Sequence, residues 1–323
     1  MKALVQAGYE GLASLSLDGV AMPVPGKNDV RVRVLACGAN ASDWEFATGT
    51  PAYARIYGAR RPYPRILGSD VVGVIDAVGA NVRLAVGTRV VGDTFGTFGG
   101  FAEYAVAKAD QWVPVPDEIP DDIAAALPQS GVIAAEGMEG VSPGARVLIN
   151  GAGGGSGPLA IQMAKVRGAH VTAVDNATKA DVMAASGADV VLDYAQTDFA
   201  QSLDETWDVI LDLWGTRKAR DIAPVLAQGG RYMLVGGPMR VIGSITLAAI
   251  TRRYGRYRRM GVLSVHQGPE HLPGLMRQVM AGELAPKIGA TVPLDEAPKA
   301  LARMARGDIP GKLIIRVGEP AAP

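Results

Sequence analysis

Apolar and polar positions along the chain follow two different rhythms. Near the start, VRVRVLA at 30–36 alternates β-branched with charged residues, the period-two signature of a half-buried strand. DVVGVIDAVG at 70–79 and TRVVGD at 88–93 give further strand signals, each bounded by Gly, Pro, Asn or Asp. From about residue 121 the rhythm changes. Helical stretches alternate with short apolar segments: RVLIN (146–150), HVTAV (170–174), VVLDY (190–194), WDVILDL (207–213), RYMLVG (231–236) and RMGVLSV (259–265). Such alternation predicts a parallel sheet covered by helices. An amphipathic helix, EHLPGLMRQVMAGE (270–283), and a short strand, KLIIRV (312–317), follow. The expected fold is α/β. A doubly wound parallel-sheet domain at 121–259 is inserted in a β-rich domain built from 1–120 and the returning segment 260–323.

One junction in the insert carries chemistry. RVLIN runs into GAGGGSG (151–157) and then into PLAIQMAKVRG, where Leu159, Ile161, Met163, Ala164 and Val166 supply a buried helix face. Pro158 suits the first turn and Gly168 the stop. Gly153, Gly154, Gly155, Ser156 and Gly157 form a loop whose backbone can approach a pyrophosphate closely. The helix start then offers that anion free amides and a partial positive charge. The next strand ends in Asp175, 18 residues past Gly157, about where a dinucleotide fold expects a ribose-binding acid. The unit 146–175 therefore predicts a nicotinamide dinucleotide site. Asp175 argues for NAD(H), because it would repel a 2′-phosphate. Lys179, helped by the hydroxyls of Thr178 and Tyr194, argues for NADP(H). The sequence leaves both open.

Composition narrows the setting. Hydrophobic residues are 48% and charged residues 20% of 323, and 32 basic residues balance 32 acidic ones. No global field favours nucleic acid or a membrane surface. The longest apolar stretch, VIGSITLAAI at 241–250, is too short to span a bilayer, and MKALVQAGYEGL lacks the apolar run of a signal peptide. A single cysteine, Cys37, excludes an internal disulfide, and a cytoplasmic location is expected.

Several separated motifs resemble the medium-chain dehydrogenase/reductase superfamily, and more narrowly its zinc-independent quinone oxidoreductase branch. They are GANASDW (38–44), ILGSDVVGVIDAVGANV (66–82), GTRVVGD (87–93), GGFAEYAV (99–106), AAALPQSGVIAAEGM (124–138), the glycine loop and PGKLIIRV (310–317). The resemblance implies a GroES-like catalytic domain carrying a Rossmann insert, a cleft between them, a homodimer, and a cofactor that in this branch is mostly NADPH. Zinc-dependent relatives place a cysteine ligand where Asn40 sits and Gly-His-Glu where Gly68-Ser69-Asp70 stands. Catalytic zinc needs about three N, S or O ligands, so no metal is expected. The resemblance points to Asn40, Asp43 and Tyr53 for catalysis, and to Gly236, Gly237 and Lys312 near the cofactor. The chain departs from the branch at Glu45, which stands where a pocket tyrosine is common, and at Gly131-Val132-Ile133-Ala134, which lacks a cofactor-binding threonine.

Without a metal, hydride transfer suits substrates that are already electrophilic, namely quinones and α,β-unsaturated carbonyls. Two enzymatic alternatives are a zinc-free alcohol or ketone reductase and an enoyl-thioester reductase. An alternative of another class is a nucleotide-sensing or RNA-binding protein of zeta-crystallin type with little turnover. The basic stretch TRRYGRYRRM (251–260), with five arginines and two tyrosines, is the feature that raises it. A lid or dimer-edge role fits that stretch better.

Overall fold

The computed structural model describes residues 1–56, 58–63, 65–201, 205–251, 259–266 and 268–318. It divides into two compact units, Met1–Val132 with Gln267–Pro323, and Ile133–His266.

The first unit begins with β1 (Lys2–Gln6), β2 (Leu15–Gly19), β3 (Asp29–Ala39), helix α1 (Ala41–Thr48), β4 (Asp70–Val78), β5 (Arg89–Asp93), β6 (Tyr104–Lys108), β7 (Trp112–Pro114) and α2 (Asp121–Ala125). α3 (Pro128–Gly137) leads out of it. The second unit then runs through β8 (Arg146–Asn150), α4 (Gly157–Val166), β9 (His170–Asp175), α5 (Ala180–Ala185), β10 (Val190–Asp193), β11 (Trp207–Asp212), α6 (Ala219–Ile222), β12 (Leu226–Leu234), α7 (Met239–Thr251) and β13 (Met260–Val262). The chain returns to the first unit as α8 (Leu272–Met280), β14 (Ile288–Pro293), α9 (Ala297–Ala305) and β15 (Lys312–Arg316).

In the second unit all six strands are parallel, in the order β10-β9-β8-β11-β12-β13. The middle residues of the two central strands are apolar and buried (Val147, Leu148 and Ile149 on β8; Ile210 and Leu211 on β11), as a sheet with both faces covered requires. The strand order reverses between β8 and β11, so the carboxyl ends of these two strands flank the sheet's switch point. In the first unit, β14-β15-β3-β4-β5-β7 form a seven-stranded sheet with β6 paired to β3, and β1 and β2 pair separately. Phe46, Phe95 and Phe98 cluster in its core, the closest ring centroids 5.0 Å apart.

The sequence pattern placed the start of the insert at 121, where helical rhythm begins. In the structure α2 lies in the first unit and packs on β3 and β4. Two ion pairs hold it, Arg89–Asp121 at 2.9 Å and Arg316–Asp122 at 2.5 Å, and the Arg89 guanidinium also donates to the carbonyls of Pro116 and Ile119. Helical periodicity marks an element and is silent about which core receives it. Most of the basic stretch at 251–260, namely 252–258, falls outside the described residues.

Gly38 on β3 shows how tightly α2 is seated. A Cβ there would lie 2.2 Å from the carbonyl oxygen of Ala125 and 2.8 Å from Cε of Lys312. Gly38→Ala is therefore expected to destabilise the protein by about 1–3 kcal/mol through overpacking. Urea denaturation reads this directly; an unchanged midpoint would show that α2 can yield.

Candidate active site

The second unit builds a loop at the end of β8. The N–H groups of Gly151 and Ala152 both donate to the Val174 carbonyl, which folds the chain back over the end of β9. Gly157 opens α4 so close to the loop that a Cβ would sit 2.1 Å from the Ala152 carbonyl oxygen. Gly153 likewise leaves no room, since a Cβ would meet Lys179 Cβ at 2.5 Å. Gly154 faces the opposite situation: a Cβ there would lie 3.6 Å from its nearest neighbour, the Gly151 carbonyl oxygen, so backbone is laid bare there. At the N-cap of α4, Ser156 makes no side-chain capping bond. The amides of the first turn are thus left for an anion rather than for a cap. Gly168 takes φ +78° just past the end of α4, the left-handed stop that glycine permits.

Asp175 closes this loop from below. Its Oδ2 accepts the Gly153 N–H at 2.9 Å and its Oδ1 the Asn176 N–H at 2.8 Å. The Lys179 ammonium lies 3.2 Å from Oδ1, and both side chains are buried. Asp175 therefore fixes the shape of the loop, and its charge is compensated within the protein. Tyr194 lies beside this pair in sequence register: its N–H donates to the Asp175 carbonyl, and its ring is more than half exposed.

The switch point holds a network that residue patterns alone did not single out. Asn150 and Asp212 are register partners at the carboxyl ends of β8 and β11. Asn150 Nδ2 donates to Asp212 at 2.7 Å, and the Tyr232 hydroxyl donates to the other oxygen at 2.7 Å. Burial raises the Asp212 carboxyl above its ordinary range, and the two donors oppose that shift. The available signal was a polar last residue on each of two otherwise apolar strands. Above the network, the Gly215 N–H donates to the Gly236 carbonyl, and a Cβ on Gly237 would lie 2.4 Å from the Gly215 carbonyl oxygen. Gly236 and Gly237 thus lie in a loop in close backbone contact with the loop of Gly215.

The first unit gathers a second polar centre. The Lys312 ammonium donates to Asn40 Oδ1 at 2.6 Å, Asp70 Oδ2 at 2.9 Å and Ser130 Oγ at 3.0 Å. All four residues are buried. The resemblance suggested a lysine near the cofactor; the structure turns the Lys312 amine inward, with its three protons taken by side chains of its own unit. Asp43 accepts the N–H of Asn40 at 2.8 Å and that of Gly68 at 2.9 Å, one on each oxygen. With zero exposure and both oxygens held by backbone, Asp43 positions the start of α1 and does not meet a substrate itself. Burial raises its carboxyl to about 7, against those two amides. Asp93 is raised to about 7 as well, by burial and then by the charge of Asp70. Burial also drives the Cys37 thiol well up, so it is a core group rather than a nucleophile.

Asn40 is the member of this centre with a free end. Its Oδ1 is fixed by Lys312, so the carboxamide is oriented as a donor, and the bond from Nδ2 to the Gly38 carbonyl is long at 3.5 Å. Tyr53, in the 3-10 turn Ala52–Arg55, is half-buried and hydrogen-bonds Glu45. Among the described residues no group of three or more His, Cys, Asp or Glu is placed to hold a metal ion. No described helix is long and apolar enough to cross a membrane.

Comparison with known proteins agrees with this architecture. Residues 26–117 match the alcohol dehydrogenase GroES-like domain family, and residues 186–315 match the zinc-binding dehydrogenase family. A chloroplastic quinone oxidoreductase of Triphysaria versicolor is 29% identical over 331 residues, covering 98% of each chain. The 2-methylene-furan-3-one reductase of Solanum lycopersicum is 31% identical over 250 residues, 73% of this chain and 62% of its own. The solved quinone oxidoreductase of Coxiella burnetii superposes with a TM-score of 0.87 at 26% identity, over 98% of this chain and 99% of its own. The chain is an oxidoreductase of the medium-chain dehydrogenase/reductase superfamily, and it belongs to the quinone oxidoreductase branch.

Proposed function

We propose that this enzyme reduces quinones and activated alkenes with NADPH, using hydrogen bonds in place of a metal. The observation that carries the reading is the uncapped start of α4 above a loop in which Gly157 abuts the Ala152 backbone and Gly153 the Lys179 side chain. That cradle fits a dinucleotide pyrophosphate. Gly154, Gly155 and Ser156 would receive it, with Gly153 and Gly157 shaping the turn. When bound, the cofactor supplies the hydride. Gly236 and Gly237, at the ends of the central strands, would line the nicotinamide end.

A zinc ion does not fit the first unit. Asn40 and Ser69 are poor ligands, and the Lys312 ammonium already pairs with Asp70, the one carboxylate of that position. The same lysine prepares a different device. By holding Oδ1 of Asn40, it leaves the carboxamide N–H groups as donors to a substrate carbonyl, where negative charge grows during reduction. Asp43 fixes the Asn40 backbone, and Tyr53 offers a hydroxyl for proton delivery. A substrate polarised only by hydrogen bonds must be electrophilic beforehand, which favours quinones and enones over simple ketones. The names of the relatives support the same two substrate classes.

The Asp175–Lys179 pair supports NADPH over NADH. A lone carboxylate about 4 Å from a phosphate charge would oppose it by roughly 4 kcal/mol at an effective dielectric of 20. Here Lys179 compensates that charge, and Asp175 is committed to two backbone amides. Lys179 and the exposed Tyr194 would then face the 2′-phosphate. The family resemblance supports a homodimer, and the single buried thiol suits a reducing cytoplasm.

NADPH oxidation should proceed with both a benzoquinone and an enone acceptor and fail with simple ketones; no oxidation with any acceptor would remove the reading. Gly157→Ala should abolish cofactor binding measured by fluorescence titration, while unchanged affinity would move the site elsewhere. NADPH should bind at least tenfold more tightly than NADH, and Lys179→Met should narrow that ratio to near one. Equal affinities in the unmodified enzyme would sink the assignment of Lys179.

A further inference from the structure

Glu45 is a buried acid outside every network described so far. It lies in the middle of α1, only 6% exposed, and the hydroxyl of the half-buried Tyr53 hydrogen-bonds its carboxyl. Burying an acid is costly unless it is paired or carries a proton. No cation faces it. The 3-10 turn Gly11–Ser14 packed on α1 has no titratable residue. On the turn Ala52–Arg55, Arg55 is bonded to the Gly49 carbonyl and stacked over the Tyr9 ring. On α9, Lys299 and Arg303 are exposed. Tyr53, itself half-buried, is thus the group that meets Glu45.

We propose that Glu45 and Tyr53 form a two-step proton relay, in which Glu45 restores the proton that Tyr53 gives to the reduced substrate. The proposal rests on the quinone and alkene reductase reading. Hydride addition to the β-carbon of an enone leaves an enolate. The Tyr53 O–H bond breaks and its proton passes to that enolate. The Glu45 O–H bond then breaks and its proton passes to the phenolate oxygen. Water re-protonates the carboxylate between turnovers. The net reaction consumes one alkene, one reduced cofactor and one proton, and gives the saturated carbonyl and the oxidised cofactor.

The electrostatics favour this direction. Burial raises the Glu45 carboxyl to about 7, so near neutrality a large fraction of it still holds its proton. Burial raises the Tyr53 hydroxyl, and the charge of an ionised Glu45 drives it further above its ordinary value, which makes Tyr53 a poorer donor while Glu45 is ionised. The relay therefore works with Glu45 neutral and fails as it ionises. Rate should be constant on the acid side and fall as pH rises through about 7.

The test is the pH profile of enone turnover at saturating NADPH. Wild-type kcat should break near pH 7 and fall about tenfold per unit above it. Glu45→Gln should lower kcat by about a hundredfold, the scale of a lost general acid, and erase the break while cofactor Kd stays within twofold. Glu45→Asp should restore part of the rate and the break. Tyr53→Phe should reproduce Glu45→Gln. A Glu45→Gln profile that superimposes on wild type, or full kcat in Tyr53→Phe, would overturn the relay. If Glu45→Gln does not fold, the wild-type profile decides: no break between pH 6 and 8 overturns it. Wild type inactive on every acceptor would instead defeat the underlying functional reading.

Discussion

The first unit is organised around one constraint, a buried ammonium that must have all three of its protons accepted. Lys312 enters on β15, after the chain has left for the second unit and come back. It ties together the end of β3 through Asn40, the start of β4 through Asp70, and α3 through Ser130. Removing one partner of such a pair strands a charge in the core, at a cost of about 3–5 kcal/mol. Gly38 is part of the same arrangement, because a side chain there would strike the lysine stem and the Ala125 carbonyl. The return of the C-terminal segment is thus a chemical requirement of the site as well as a packing one.

That ammonium also explains the acids around it. Asp70 is its ion-pair partner, while Asp43 and Asp93 stand nearby with no cation of their own. Both are raised to about 7 in the fold, from about 4 in an unfolded chain. The folded state therefore holds protons that the unfolded state has released across that interval. Their contribution to stability is fully present below about pH 4 and is lost as pH rises through about 7. Glu45 follows the same sign for the same reason, burial. A unit with several raised carboxyls is one in which burial outweighs pairing, the usual mark of a site arranged for chemistry rather than for stability.

The dinucleotide loop was legible because local rules dictate it: a strand, glycines where backbones touch, a proline in the first helical turn and a glycine stop. That the sheet is parallel follows from apolar runs separated by helices; its strand order came from the structure. Contacts between residues far apart in sequence were not legible. Lys312 and Asn40 are 272 positions apart, and the pattern GKLII gives no sign of which way the amine turns. Asp175 reads as a ribose ligand because its position matches that role, and the fold adds that its oxygens also accept the Gly153 and Asn176 N–H groups and pair with Lys179. Spacing places a residue; only the fold shows what has already claimed its hydrogen-bonding capacity. Asp43 is the same lesson at shorter range, since both of its oxygens serve backbone amides.

In the proposed mechanism a lysine-held carboxamide stands in for a metal, and that exchange changes which reactions the scaffold can support. Zinc binds an alcohol oxygen directly and lowers the barrier to removing its proton. A carboxamide donates hydrogen bonds but does not generate an alkoxide, so it helps only where oxyanion charge develops after hydride arrives. Its advantage is preorganisation: Asn40 is held at Oδ1 by Lys312 and at its backbone by Asp43, so little reorientation is needed at the moment of reaction. Carbon protonation is then the step that a metal would not have supplied in any case. A fold that reduces alkenes needs a separate acid for it. In this chain the acid best placed by burial and partner is Glu45, on the same short helix whose cap presents Asn40. On the proposed mechanism, α1 has the oxyanion donor Asn40 at its N-cap and the proton source Glu45 in its second turn, so one short helix sets the geometry of both.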